Sequence, residues 1–237
     1  ASKKDILMAL GEAYNRGGQP SKAAETYRTV ISTAKPGSLD IDQARLALAQ
    51  ALLPQSRFAE VLGLTQQVIE NGHSKLLLQA EFLAGTALSL EGADLDAAAA
   101  HLHRAESKCL EECSPLTLAE IKFERGSLAA QQGALDKAVA LYQDSLEAAK
   151  MAFAGGTNNR AIPRLVLAYN NLAYHLHLLD DPQALTYAET GLNLAREKGE
   201  LTLQTYLLST RGEIALAAGD LALAQDCFLE GLALAER

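Results

Sequence analysis

The sequence predicts an all-α chain, a solenoid of about six stacked helical hairpins, and three observations carry that expectation. No stretch alternates apolar with polar positions in the β-branched pattern of a strand. Apolar residues recur instead at helical spacing, as in Leu135, Ala138, Leu141, Tyr142 and Leu146. A small residue, a turn residue seven later and an alanine about five after that recur along the whole chain, most fully as Gly126, Gly133 and Ala138 followed by Tyr142. Two helices joined by a tight turn produce this spacing: Gly126 and Ala138 let the helices cross closely, and Gly133 supplies the turn. One hairpin cannot bury its own apolar face, so the copies must stack and present a long surface.

The hairpins follow in order. The first has Gly11, Gly18, Ala23 and Tyr27, and the second Ala47, Pro54 and Ala59, with Pro54 ending the helix after Leu53 and Gly63 where the first has its aromatic. The third has Gly85, Gly92, Ala98 and Leu102, and the fourth is the stretch already described. The fifth has Ala173, Asp180 and Ala184, with Asp181 and Pro182 as cap and first-turn proline, and the sixth Gly212, Gly219, Ala224 and Phe228. The second-helix alanines lie 36 to 46 residues apart, at Ala23, Ala59, Ala98, Ala138, Ala184 and Ala224. These units, 4–36, 39–72, 75–113, 115–154, 163–198 and 200–237, are read as a single domain over 1–237. The longest interval holds a loop from Ala154 to Arg160, a candidate hinge and nicking site, which ends at Pro163 opening the next helix. Shorter breaks fall at 35–38, 71–74, 113–115 and 198–200.

Composition excludes several classes. With 49% hydrophobic and 21% charged residues the chain is not a disordered one. Its 21 basic and 29 acidic residues give a net charge of −8 without a long basic run, which disfavours direct nucleic-acid binding. No apolar run reaches the ~18 residues of a membrane span. Lys3 and Lys4 before Ile6 to Leu10 read as a first helix, because Glu12, Asn15 and Arg16 break the apolar run too early for a signal peptide. Three cysteines make no disulfide framework and fit a reducing, cytoplasmic setting.

The sets Gly11/Gly18/Ala23/Tyr27 and Gly126/Gly133/Ala138/Tyr142 resemble tetratricopeptide (TPR) repeats, and the resemblance covers roughly residues 4 to 237. The family's unit is ~34 residues, whereas these are nearer forty, so the helices are expected to be longer by up to a turn. Units of that length are similar to the arrays of MalT-like STAND regulators and of kinesin light chains, and Leu165 to Ala173 is particularly so. Gly63, and Arg125 and Arg211 before the key glycines, depart from the family pattern. The resemblance implies a right-handed superhelix with its function on a concave groove lined by the first helices. The corresponding stripes are Gln79, Phe82, Thr86; Glu120, Phe123, Ser127; Asn170, Tyr174, His177; and Tyr206, Ser209, Glu213. Aromatic rings among amides and hydroxyls suit a protein or peptide ligand, or a small-molecule inducer. Asn170 is the foremost candidate, resembling a clamp on a peptide backbone. Glu120 and Glu213 stand against binding an acidic chaperone tail, which needs Lys and Arg there.

Other constellations lack the geometry for chemistry. His101 and His103 diverge by about 200° on a helix and cannot share a metal ion with Cys109 and Cys113, which read as thiols in a helix; His175 and His177 diverge in the same way. Cys227 reads as core, Glu111 and Glu112 diverge, and no phosphate loop is present. Neither an enzyme nor a cofactor is expected. The final helix from Leu221 carries Leu223, Cys227, Phe228, Leu232 and Leu234 without a polar outer face. That points to a fragment of a longer protein, favoured also by the Ala1-Ser2 start, or to self-association through this end. The function expected is a sensor or interaction domain of a larger bacterial signalling or transcription-regulatory protein. The alternative is a free-standing scaffold or adaptor that docks short peptide segments.

Overall fold

The computed structural model describes residues 2–35, 37–154 and 159–236, the side chains of Glu111 and Glu112 excepted. Among the described residues there is no strand. The helices are α1 (Lys3–Arg16), α2 (Pro20–Thr33), α3 (Leu39–Leu52), α4 (Phe58–Asn71), α5 (Ser74–Glu91), α6 (Leu95–Glu112), α7 (Pro115–Gln131), α8 (Leu135–Phe153), α9 (Ala161–Leu178), α10 (Ala184–Lys198), α11 (Leu201–Ala217) and α12 (Leu221–Ala235). Consecutive helices pair as six TPR-like hairpins, α1/α2 through α11/α12. The chain divides into two compact units, Ala1–Glu112 and Cys113–Arg237, each with three hairpins stacked on one another.

Each hairpin turn contains one residue in the left-handed region: Gly18, Ser56, Gly92, Gly133, Asp180 and Gly219. Seven residues before each lies a small residue of the first helix, and in four hairpins it is a glycine under a large side chain of the second. A Cβ added to Gly126 would sit 2.8 Å from the Tyr142 ring; one on Gly11, 2.5 Å from Tyr27; one on Gly212, 2.6 Å from Phe228; one on Gly85, 2.7 Å from Leu102. The missing side chain is therefore the seat of the neighbour's ring or isobutyl group.

The second hairpin departs from its expected register by two residues. Pro54 does not make the turn; it lies in a 3-10 turn, Leu53–Gln55, that prolongs α3, and Ser56 takes the left-handed conformation at φ 55°. The contact set is thus Ala49, Ser56, Val61 and Thr65 rather than Ala47, Pro54, Ala59 and Gly63. Ala49, Val61 and Thr65 are buried, Ala59 is exposed, and a Cβ on Gly63 would meet nothing within 4 Å. Thr65 settles its buried hydroxyl on the Val61 carbonyl of its own helix at 3.0 Å. In the fifth hairpin α9 begins at Ala161, two residues before Pro163, and α10 at Ala184, with Asp181 accepting the Gln183 N–H at 2.8 Å. Residues 155–158 of the expected hinge lie outside the described residues.

Aliphatic packing joins the hairpins within each unit. Tyr27, Leu46, Leu52, Val61, Val68 and Leu76 centre the core of the first unit. The second has Leu141, Tyr142, Leu146, Leu165 and Leu172 in one cluster and Ile162, Val166, Leu192, Leu207 and Leu208 in another. One buried charge reinforces the first unit. Asp42 on α3 has no exposed surface and accepts hydrogen bonds from Arg45 at 2.7 Å and from Asn71, at the end of α4, at 3.0 Å, with the His73 ring 2.7 Å away at the N-cap of α5. Burial alone would raise its carboxyl, but the bonds from Asn71, Arg45 and His73, with the Arg45 charge, hold it below the usual carboxylate range.

Two outcomes follow for stability. Gly126→Ala costs about 1–3 kcal/mol through overpacking against Tyr142, whereas Gly63→Ala, in open space on a helix, stabilises by about 0.5–1 kcal/mol; denaturant titration of both variants measures the contrast. A depressed carboxyl contributes stability that is present above its ordinary value and lost as pH falls through the folded one. Acid unfolding monitored by circular dichroism should therefore lose part of its pH dependence below about pH 4 in Asp42→Asn, whose neutral side chain no longer titrates there.

Candidate functional site

In the second unit the first helices of the three hairpins, α7, α9 and α11, lie side by side, with α9 touching both neighbours. The hairpin contact places one face of each against its own second helix and leaves another face of α7, α9 and α11 carrying the polar and aromatic stripes. The α7 stripe is held from behind by Tyr142 of α8, which packs edge-on to Phe123 at 5.4 Å and donates to Ser127 at 3.1 Å. Burial raises the Tyr142 phenol, opposed by hydrogen bonds with Ser127 and Asn171. From α9, Arg164 lies over the Phe123 ring at 4.3 Å and comes within 4.0 Å of Glu124.

Glu120 and Glu124 are one helical turn apart and half-buried. Burial raises both carboxyls above the ordinary value, Arg164 opposes the rise at each, and Glu120 adds to it at Glu124. Two carboxylates thus face one guanidinium. Farther along, the Thr210 hydroxyl of α11 donates to Asn170 Oδ1 at 2.9 Å, and the Asn170 amide reaches Asn171 Oδ1 at 3.3 Å. Asn170 is therefore an inter-repeat tie whose oxygen already has a buried donor, which distinguishes it from a free backbone clamp. Tyr174 and Tyr206 are 38% and 52% exposed, on α9 and α11 respectively. Tyr174 stands edge-on to His175 at 5.2 Å; His175 is buried, with Nδ1 2.7 Å from the Asn171 carbonyl, and burial lowers its pKa. His177 is half-buried, and the Ser209 hydroxyl donates to Glu213 at 3.3 Å, both of these residues being exposed.

The second unit accordingly brings Glu120, Phe123, Ser127, Asn170, Tyr174, His177, Tyr206, Ser209 and Glu213 onto adjoining helices. Gln79, Phe82 and Thr86 lie on α5 of the first unit, where Thr86 is buried with its hydroxyl on the Phe82 carbonyl at 2.9 Å. Sequence reading missed Glu124, Arg164, Asn171 and Thr210. The signal was present for one of them: Glu124 follows Glu120 by four residues, a spacing that returns to the same helix face.

Elsewhere, His101 Nδ1 lies 2.7 Å from Glu81, a carboxylate that also accepts from Arg104 at 2.9 Å. Cys109 and Cys113 are disulfide-bonded, which corrects their reading as thiols, while Cys227 is a free, buried cysteine. No group of three or more His, Cys, Asp or Glu side chains among the described residues is placed to hold a metal ion. No helix among them is long and apolar enough to cross a membrane. On α12, Leu221, Leu229 and Leu232 are exposed.

No family model and no curated protein matches the sequence. Solved structures do match its fold. A Rap protein complexed with Competence and Sporulation Factor aligns at 17% identity and a TM-score of 0.71, over 98% of this chain and 65% of its own. A STAND protein with a tetratricopeptide repeat sensor, from Pyrococcus horikoshii, aligns at 15% identity and 0.74, over 97% of this chain and 35% of its own. TPR-like repeats of a putative kinesin light chain from Podospora anserina align at 16% identity and 0.61, over 83% and 96%. The chain thus spans about a third of the STAND structure and just under two thirds of the Rap structure, and these likenesses establish the fold: a TPR-like helical repeat array.

The site's own electrostatics can be checked through stability. A carboxyl raised by burial is penalised when charged, so its cost is present at neutral pH and disappears as pH falls below the ordinary value. Glu124→Gln is expected to raise the melting temperature at pH 7 and to lose that advantage at pH 4, read by calorimetry at both. Asn170→Ala costs about 1 kcal/mol by removing the acceptor of the buried Thr210 hydroxyl, and a denaturant titration of that variant measures it.

Proposed function

We propose that this TPR-like array is a non-catalytic module that binds a protein or peptide segment on the first-helix face of its second unit. It acts as the sensor or interaction part of a larger signalling or transcription-regulatory protein. The observation that carries the reading is the pair Tyr174 and Tyr206, more than a third exposed on neighbouring helices beside the polar groups of Ser209, Glu213 and His177. Exposed tyrosines among hydrogen-bonding side chains supply rigid apolar contact with polar orientation, the composition of interface anchors. The Rap structure was solved with Competence and Sporulation Factor and the STAND structure contains a TPR sensor, which supports ligand recognition as the use of this fold. Asn170, Phe123 and Ser127 belong to the same proposal as supporting positions.

Peptides recovered from a displayed random library and measured by calorimetry test it. Tyr174→Ala with Tyr206→Ala is expected to weaken them at least tenfold, within the range of interface anchors, with the fold retained and the melting temperature lowered only modestly, through loss of the Tyr174 contact with His175. Unaltered affinity in that double variant would remove the face from consideration. A flanking ATPase or DNA-binding module in the gene would support the regulatory role, and a complete reading frame ending near Arg237 the free-standing adaptor.

A further inference from the structure

We propose that the ligand of this face is a basic peptide segment, which seats a lysine or arginine against Glu120 and Glu124 and lays its neighbouring residues along Tyr174 and Tyr206. The inference rests on the docking reading above and names the class of segment that it takes.

The direction in which each helix turns its ionisable side chains sets the charge of the face. On α7, Lys122 donates to Asp144 of α8 at 2.9 Å, and Arg125 lies in the field of the same carboxylate. On α11, Arg211 donates to Glu189 of α10 at 3.2 Å and to Cys227 of α12 at 3.4 Å. These cations are engaged with second helices. On this face Glu120 and Glu124 share the Arg164 guanidinium, which is 4.0 Å from Glu124 and lies on the Phe123 ring, and Glu213 stands exposed on α11.

Half-buried carboxylates sharing one cation at that separation have lost water without gaining close charge-assisted hydrogen bonds. A ligand ammonium or guanidinium supplies those bonds, whereas an acidic segment meets repulsion. A free cation would engage only the α7 end. Neighbouring packed helices are ~8–10 Å apart, so the stretch from α7 to α11 is on the order of 16–20 Å, which about five or six extended residues cover. The exposed tyrosines stand on the two helices that such a segment crosses, Tyr174 on α9 and Tyr206 on α11, and their rings accept apolar side chains or a second cation.

The test uses the 237-residue chain to select twelve-residue peptides from a random display library, then compares their affinities for the parent, for Tyr174→Ala/Tyr206→Ala, for Glu120→Gln/Glu124→Gln and for Arg164→Gln. The recovered peptides are expected to share a Lys or Arg position and to bind at least tenfold more weakly when that position is changed to Glu. They should bind at least tenfold more weakly to the glutamine double variant, and more tightly to Arg164→Gln, where the competing guanidinium is gone. A purely structural role for the carboxylates would not produce opposite effects in those two variants. Peptides that depend on the tyrosines yet are neutral or acidic, or that bind the glutamine double variant as tightly as the parent, overturn this inference and leave the docking reading standing. If no recovered peptide depends on the tyrosines, both fall.

Discussion

Four of the hairpins are closed by a side chain of the second helix lying where the first helix has no side chain of its own. In each of these a glycine receives a tyrosine, phenylalanine or leucine, and the space left by the absent Cβ is filled by the neighbour's ring or branched chain. The other two hairpins differ. In the second, Ala49 and Thr65 are the buried residues at the corresponding positions, and in the fifth the glycine is on the second helix, where a Cβ on Gly191 would sit 2.8 Å from the Tyr169 Cβ of α9. A glycine on one helix under a large side chain of the other is what close packing at small helix separation requires. The spacing between these two positions, and the left-handed turn residue between them, bring the helices of each pair into the same relation although the side chains differ.

With the hairpin contact fixed, the other faces of each helix have assigned uses. Second helices give their aliphatic faces to the next first helix, as Leu141 and Leu146 do with Leu165 and Leu172. Buried polar atoms are settled locally or across helices: Ser145 donates to the Ala119 carbonyl at 2.7 Å, and Thr210 to Asn170. Asp42 ties α3 to both ends of the α4–α5 connection. What remains on the first helices of the second unit is a face that the fold does not need to cover, and Tyr174 and Tyr206 stand on it.

The sequence showed most of the architecture because the hairpin rule is local: a glycine, a turn residue seven on and an aromatic nine beyond that all lie within one hairpin. It misled in the second hairpin, where Pro54 and Ser56 are both turn residues by type. Proline suits the end of a helix, but only the backbone shows that it sits in an added 3-10 turn while Ser56 reverses the chain. The candidate face was legible as stripes and not as a network. That Asn170 is engaged by Thr210, forty residues away, or that Arg164 covers Phe123, depends on how neighbouring first helices are set against each other, and no spacing within one helix encodes it. The disulfide state of Cys109 and Cys113 was hidden for a similar reason, since an i, i+4 pair of cysteines reads equally well as two thiols.

The placement of Glu120 and Glu124 is unfavourable for the array alone. A half-buried carboxylate beside another, with a guanidinium no closer than 4.0 Å, raises the energy of the charged state. Glutamine would keep the shape and hydrogen-bonding capacity of either side chain without that penalty. The hairpin contacts explain why the fold tolerates it, because Tyr142 on Gly126 and the aliphatic faces of α8 and α9 hold α7 and α9 in place without help from these charges. The cost is then confined to a half-buried patch of α7, where the cation of the proposed ligand would relieve it. A site whose charged state improves when a partner arrives gains affinity from its own uncomplexed cost, and the hairpin core keeps that cost from unfolding it.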